Sequence, residues 1–308
     1  LIDRTAPTFT SISLSPSPTY GAPTVTLTVN GASDPLVSGL ASGVAGGEYW
    51  VGTTVPATGS GTKFTGTVAS IPTSSLPIGT DTIGVRVRDG AGNWSTATHS
   101  ATVVVVPDLI FSNGFETGGA PWGWSSRSTN NTGRLNVTTT APIVGTRKLQ
   151  AQGNNGNYVQ YNFGTTANPA WPTFDARFYF NPNGNTSTGQ DVFLAASSNS
   201  FGTQRFHVRY RMNAGQSQVQ IQVGATANAT WVNLTNAANN RIEIVWQSGA
   251  TLELYVNGTL SQTLAAPASS SIGAFRLGSV TSGGSSTLEY FDGLTAKRTV
   301  SPLIGTGP

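Results

Sequence analysis

Apolar residues recur at every second position over short stretches of this chain, and almost nowhere at the spacing of a helix. Thr24–Val29, Thr82–Arg88, Ala101–Val106, Arg177–Phe180, Arg205–Met212, Gln218–Val223, Arg241–Trp246 and Leu252–Val256 all alternate in this way, bounded by Gly, Pro, Asn and Ser. Such runs are half-buried strands of sandwiches and barrels, so the expected fold class is all-β. One series ends at Val103–Asp108 and another starts with Leu109, Ile110 and Phe111. Pro107 ends a strand and stiffens a junction. The expected organisation is therefore one domain over 1–107, a second over 108–300 and an extended tail over 301–308.

Parity is most informative between Gln204 and Val223. It sets Phe206, Val208, Tyr210 and Met212 on one face and Arg205, His207, Arg209 and Arg211 on the other. A tight turn at Ala214 and Gly215 pairs Arg211 with Gln218, Arg209 with Gln220, His207 with Gln222 and Tyr210 with Val219. A one-residue slip would bury the arginines, so the register is strongly specified. In the next hairpin the Ser248–Ala250 loop sets Trp246 opposite Leu252, Ile244 opposite Leu254 and Ile242 opposite Val256. Glu243, Glu253 and Tyr255 then share the polar side. If the two hairpins lie in one sheet, these residues form a single polar surface, which Arg177 and Tyr179 extend. That surface is either a solvated face with cross-strand charge pairing, worth about 0.2–1 kcal/mol per pair, or a platform that hydrogen-bonds sugar hydroxyls and uronate carboxylates through arginine forks.

Composition supports a folded chain with an ion-poor surface. Of 308 residues, 37% are hydrophobic, 9% aromatic and only 9% charged, with a net charge of +3. A typical domain has about 25% charged residues, and disorder goes with high net charge and few aromatics. The sequence pI of 9.3 reflects 16 cations over 13 anions. That excess is too small and too scattered for a nucleic-acid binder. Without cysteine, disulfides and zinc–thiolate sites are excluded. No apolar run reaches the roughly 18 residues of a spanning helix, so no membrane span is expected. The start at Leu1, without Met or leader, reads as a processed or excised part of a longer protein.

Particular runs resemble known modules. Asp3–Pro7, Gly47–Trp50 and Val85–Ser95 together resemble a bacterial immunoglobulin-like repeat of cell-surface proteins, with Val85 and Val87 inward and Asp89–Asn93 as the turn. The resemblance implies a spacer; the alternative is that Trp50 or Trp94 contacts a neighbour. Phe111–Gly118 with Trp122 and Trp124, Arg241–Trp246, Leu252–Gly258 and Leu288–Leu294 are similar to the opening strand, central hairpin and closing strand of concanavalin-like, laminin-G-like jelly rolls. The implied arrangement is an N-terminal immunoglobulin-like sandwich followed by a jelly-roll sandwich, at a bacterial cell surface or outside the cell.

Catalysis is not expected. Jelly-roll glucanases carry clustered carboxylates, and general acid/base work needs a pair in divergent environments. Here only Glu243 and Glu253 are close, and Ile244, Val245 and Trp246 follow where such a cluster would continue. His99 and His207 fall in different modules. The jelly-roll resemblance implies that Glu116 and Asp292 meet and hold a structural calcium ion, with backbone carbonyls completing the shell; otherwise Glu116 accepts turn hydrogen bonds. Trp171 and Trp231 are candidate platforms for sugar rings, or caps of the core. Sequons at Asn93, Asn130, Asn136, Asn185, Asn228, Asn233 and Asn257 are tolerated sites, not signs of use.

Two function classes follow. One is a non-catalytic adhesin or carbohydrate-binding protein whose recognition lies in the second module, with a glycan or cell-surface partner. The other is a structural subunit of a surface layer or filament that contacts copies of itself, since an ion-poor surface has few charges to desolvate and β modules offer edges for pairing. Ser15–Pro18 and the tail 301–308 are extended segments suited to reaching a neighbour.

Overall fold

The computed structural model describes residues 2–305 except 38, 40, 129–133, 154–155, 166–169 and 282. It is nearly all β and divides into two compact units, Leu1–Asp108 and Leu109–Pro308.

The first unit holds β1 (Ser11–Ser15), β2 (Thr24–Asn30), β3 (Val44–Val51), β4 (Thr62–Thr65), β5 (Val68–Pro72), β6 (Gly79–Asp89) and β7 (His99–Val105). Two antiparallel sheets, β1-β2-β5 and β4-β3-β6-β7, enclose one core. Alternation supplies that core: Val25, Leu27 and Val29 from β2, Ile83, Val85 and Val87 from β6, Val103 and Val105 from β7. Arg86 lies on the other side of β6 but is buried, because its guanidinium pairs with Glu48 at 2.9 Å and sits 5.2 Å from the Trp50 ring. Trp50 needs Gly84 opposite it, where a Cβ would come within 2.3 Å of the indole. Arg88 packs over Trp94 at 5.8 Å. The Asp89 carboxylate closes the turn by accepting from both the backbone and side-chain N–H groups of Asn93. Ser15–Pro18 returns to its own unit, Ser17 Oγ accepting from Val104 N.

The second unit begins with β8 (Leu109–Asn113), β9 (Ser126–Arg127), β10 (Leu135–Thr138), β11 (Lys148–Gln152) and β12 (Asn157–Asn162). β13 (Thr173–Asn181), β14 (Gln190–Ala196), β15 (Gln204–Asn213), β16 (Gln216–Val223), β17 (Thr226–Ala227) and β18 (Val232–Asn233) follow. It ends with β19 (Asn240–Gln247), β20 (Thr251–Val256), β21 (Thr259–Ala265), β22 (Ala274–Ser279) and β23 (Leu288–Lys297). One sheet, ordered β17-β16-β15-β14-β22-β12-β9 with β18 beside β16, carries the arginine-rich hairpin and is called the arginine sheet below. The other, β10-β11-β23-β13-β19-β20-β21 with β8 beside β23, is called the carboxylate sheet. The opening strand thus pairs with the closing one.

The two sheets meet through an aromatic layer. Phe178 stacks on Phe193 at 5.5 Å, Phe206 on Trp246 at 5.6 Å and Phe193 on Phe275 at 5.6 Å. Each fully buried ring contributes on the order of 1.5–3 kcal/mol from its area alone. The pairs Arg211–Gln218, Arg209–Gln220, His207–Gln222 and Tyr210–Val219 are those of the structure, as are Trp246–Leu252, Ile244–Leu254 and Ile242–Val256. The two hairpins do not share a sheet, however. After β18 the chain crosses the sandwich, and β19 joins β13 instead of β16. Glu243, Glu253 and Tyr255 therefore lie on the outer face opposite to Arg205, His207, Arg209 and Arg211, and the expected continuous surface is two separate faces.

Candidate functional site

On the arginine sheet, core packing of Phe206, Val208 and Tyr210 turns Arg205, His207, Arg209 and Arg211 outward. A β-bulge in β14 places Val192 and Phe193 both in the core, so that Asp191 emerges beside this row. His207 Nδ1 lies 3.0 Å from Asp191 Oδ2, and Arg209 Nε lies 3.9 Å from Asp191 Oδ1. Arg209 reaches Gln222 Oε1 at 3.4 Å, while Arg211 Nε donates to Gln218 Oε1 at 2.8 Å. Arg205 Nε donates to the Ser271 carbonyl.

The loop after β16 folds back over part of this face. Gln220 is buried because its amide donates to the Asn228 carbonyl, and Gln218 donates to Asn233 Oδ1. The same loop brings Trp231 over the arginines, its ring 4.2 Å from the Arg211 guanidinium and 6.0 Å from that of Arg209. Trp231 is half-buried outside the main core cluster, so it is neither a core residue nor a free platform. Trp171 is half-buried as well and is pinned by a β-bridge to Ile272; Asn168 and Pro169 before it lie outside the described residues.

Parity within one hairpin missed a second cluster on this face. Arg276 of β22 is held between the rings of Phe201, at 3.9 Å, and Tyr158, at 4.4 Å, and donates to Gln160 Oε1. Leu194, Ala196, Ala274 and Val280 pack beneath this group. The sequence signal was present as Arg276 between core-facing Phe275 and Leu277, but β22 lies next to β14 only through the tertiary fold. The face therefore carries Arg205, Arg209, Arg211 and Arg276 against one carboxylate, Asp191, among the described residues. Arg209 keeps about a third of its side chain exposed (34%).

On the carboxylate sheet, Glu243 is buried, as are Asp175 and Arg177, while Glu253 and Tyr255 are half-buried. The Tyr255 hydroxyl donates to Glu253 Oε2 at 2.8 Å; burial first, and then that carboxylate, push the phenol up to about 12. Arg177 donates to Thr295 Oγ1, and Glu243 Oε1 accepts from the Ile304 N–H.

Glu116 lies just past the end of β8, not within the opening strand, and Asp292 lies in β23. Their carboxylates converge beside Gly114, where a Cβ would sit 3.8 Å from Asp292 Oδ1 and 4.0 Å from Glu116 Oε1. Asp292 accepts from the N–H groups of Ile143, Val144 and Gly293, and Glu116 accepts from the Thr146 hydroxyl and the N–H groups of Thr146 and Arg147. Burial lifts Asp292 to about 6, against those N–H bonds, and the nearby charge of Glu116 adds to the rise. In the first unit, carboxylate oxygens of Asp3, Asp34 and Asp89 lie within 4.8 Å of one another, and Ser42 N bridges Asp3 and Asp34 at 2.8 Å each.

Among the sequons, Asn185 is fully buried and donates to Glu289; Asn130 lies outside the described residues. No described helix is long and apolar enough to cross a membrane.

No family model matches the chain and no curated protein matches it. Solved structures do. A cellulose-induced protein, Cip1, is 16% identical over 64% of this chain and 100% of its own, with a TM-score of 0.47. An endo-β-1,4-glucuronan lyase from the fungus Trichoderma reesei is 13% identical over 63% of this chain and 97% of its own, at 0.44. The ligand-binding domain of botulinum neurotoxin serotype D, solved with N-acetylneuraminic acid, is 10% identical over 62% of this chain and 48% of its own, at 0.42. At these identities and scores, similarity bears on neither ligand nor activity.

Proposed function

We propose that this chain is a non-catalytic, extracellular carbohydrate-binding protein of a cell surface. In this reading the second unit is a jelly-roll receptor for acidic glycans and the first an immunoglobulin-like spacer. The observation that carries it is the outer face of the arginine sheet. Among the described residues four arginines stand there against one carboxylate, beside a half-buried indole, with about a third of the Arg209 side chain exposed. Guanidinium forks suit carboxylate pairs and vicinal hydroxyls, and an indole suits the C–H face of a sugar ring. The carboxylate sheet offers no such surplus, because there Arg177 and Lys297 stand beside Glu243 and Asp175.

The test is binding to an array of neutral and carboxylated glycans. Wild type is expected to select uronate- or sialate-bearing chains. Arg209→Ala and Trp231→Ala are expected to weaken binding without altering the circular dichroism spectrum, since neither residue is in the core. A lost charge-assisted hydrogen bond is worth about 1.5–3 kcal/mol, which is roughly ten- to a hundredfold in affinity. Unchanged affinity in both variants overturns the assignment.

The proposal includes a structural calcium ion held by Glu116 and Asp292. Two carboxylates facing a glycine-lined space, one of them deeply buried, match the oxygen donors such an ion takes. Calcium would supply positive charge that ties the loop after β8 to β23; no chemistry passes through it.

A further inference from the structure

Part of the outer face of the carboxylate sheet lies against residues 302–305. Phe174, Ala176 and Phe178 enter the core, which leaves Asp175 and Arg177 outside on β13. In the neighbouring strands Arg177 is paired with Glu243, Glu243 with Tyr255, and Asp175 with Lys297. Beyond β23 the chain doubles back. The Lys297 ammonium donates to the Pro302 carbonyl, and the N–H groups of Ile304 and Gly305 donate to Glu243 Oε1 at 2.5 and 3.4 Å. Glu243 and Asp175 are left 1% and 0% exposed.

Two buried carboxyl groups in contact cannot both ionise without a large cost. The two backbone donors occupy Glu243 Oε1. Glu243 Oε2 and both oxygens of Asp175 are buried without a hydrogen-bond partner, apart from the Lys297 ammonium 3.6 Å from Asp175 Oδ2. A proton on Asp175, donated to Glu243 Oε2, satisfies both acids.

We propose that residues 302–305 form a latch held shut by a proton shared between Asp175 and Glu243, so that this segment lifts from the sheet as pH rises through neutrality and uncovers the face bearing Arg177, Glu243 and Tyr255. Burial, and then the neighbouring Glu243, push Asp175 up to about 8, with Lys297 pulling the other way. When the latch opens, water reaches Asp175 and its affinity for the proton falls back toward the ordinary 3.8. The closed form therefore binds more protons than the open one between those limits, and closure weakens as pH rises across that window. Above about 8 both forms are ionised and the weakening stops. Lys297 faces Asp175 and Arg177 stands opposite Glu243, so positive charge offsets part of the repulsion in the ionised pair. Tyr255 holds its proton throughout this range, and Glu253 is occupied by the Tyr255 and Thr251 hydroxyls.

Amide hydrogen exchange on the full chain tests this, read as protection factors for Ile304 and Gly305 relative to an unstructured peptide at the same pH. Between pH 5 and pH 9 the protection is expected to fall at least about tenfold, one pH unit's worth of linked proton. Asp175→Asn keeps a neutral donor to Glu243 and removes the titration, so its protection is expected to stay high and level. Wild-type protection constant within about twofold over that range overturns the latch, as does an Asp175→Asn profile that falls like the wild type. Glycan binding on the opposite face plays no part in the readout, so the two proposals fail separately.

Discussion

Glu289 shows how much a single residue can couple this fold to pH. It points into the sandwich, where its Oε2 accepts from Asn185 Nδ2 at 2.8 Å and Gln190 Nε2 at 2.6 Å. Burial lifts it to about 8, only partly offset by those two amides. A raised acid binds its proton more tightly folded than unfolded. Its stabilising contribution is thus fully present below the ordinary 4.5 and lost as pH rises to about 8, at about 1.4 kcal/mol per pH unit at most. Glu289→Gln keeps the shape and never ionises. Urea unfolding at pH 5 and pH 8 is expected to show a stability loss in the wild type that shrinks in the variant; equal losses would refute the assignment. Asp175 titrates in the same window, so the difference between the two proteins is the informative quantity. None of this was legible in the sequence. Parity marks Glu289 as sharing a side with Phe291, yet nothing local announces Asn185 and Gln190, which lie about a hundred residues earlier in the chain. Asp191 was hidden for a related reason, since the bulge at Val192 breaks the alternation that would have revealed it.

At the scale of elements, hairpin registers were fully readable because a tight turn and a two-residue period leave one register that buries Phe206, Val208 and Tyr210. Which hairpins become neighbours was not readable. Both polar faces alternate with equally apolar inner faces, so the pattern is the same whether β19 follows β16 in one sheet or crosses to β13. The pairing of β8 with β23 came from resemblance, and its consequence is the approach of Glu116 to Asp292. If calcium sits there, it binds the folded form alone. At a hundredfold excess over its dissociation constant it adds about 2.7 kcal/mol, which is roughly 5–10 °C in the melting temperature of a domain this size. The chelator-treated protein is expected to melt lower by that amount and to recover on adding calcium, and Asp292→Asn is expected to lose the response. A titration without heat and without a melting shift would remove the ion.

Among the described residues each unit has a main hydrophobic core of its own, one around Val25, Ile83 and Val103 and the other around Phe178, Phe193 and Phe275, with a smaller cluster beneath Arg276 in the second unit. Each main core is enclosed by its own pair of sheets, so each unit has the parts needed to fold alone. Every residue of the arginine face, including Trp231 and Arg276, belongs to the second unit. A chain of residues 109–308 is therefore expected to bind the same carboxylated glycans as the full chain, within about twofold. An ion-poor surface sharpens the consequence for salt. With only 9% of residues charged, few other groups compete with the arginine cluster for long-range attraction. Affinity in both chains is expected to fall by the same factor as salt rises past 0.1 M, where the screening length is about 10 Å. Surface plasmon resonance on the two chains across a salt series checks both points. A fragment that folds but has lost its affinity would place recognition in the first unit and overturn its reading as a spacer.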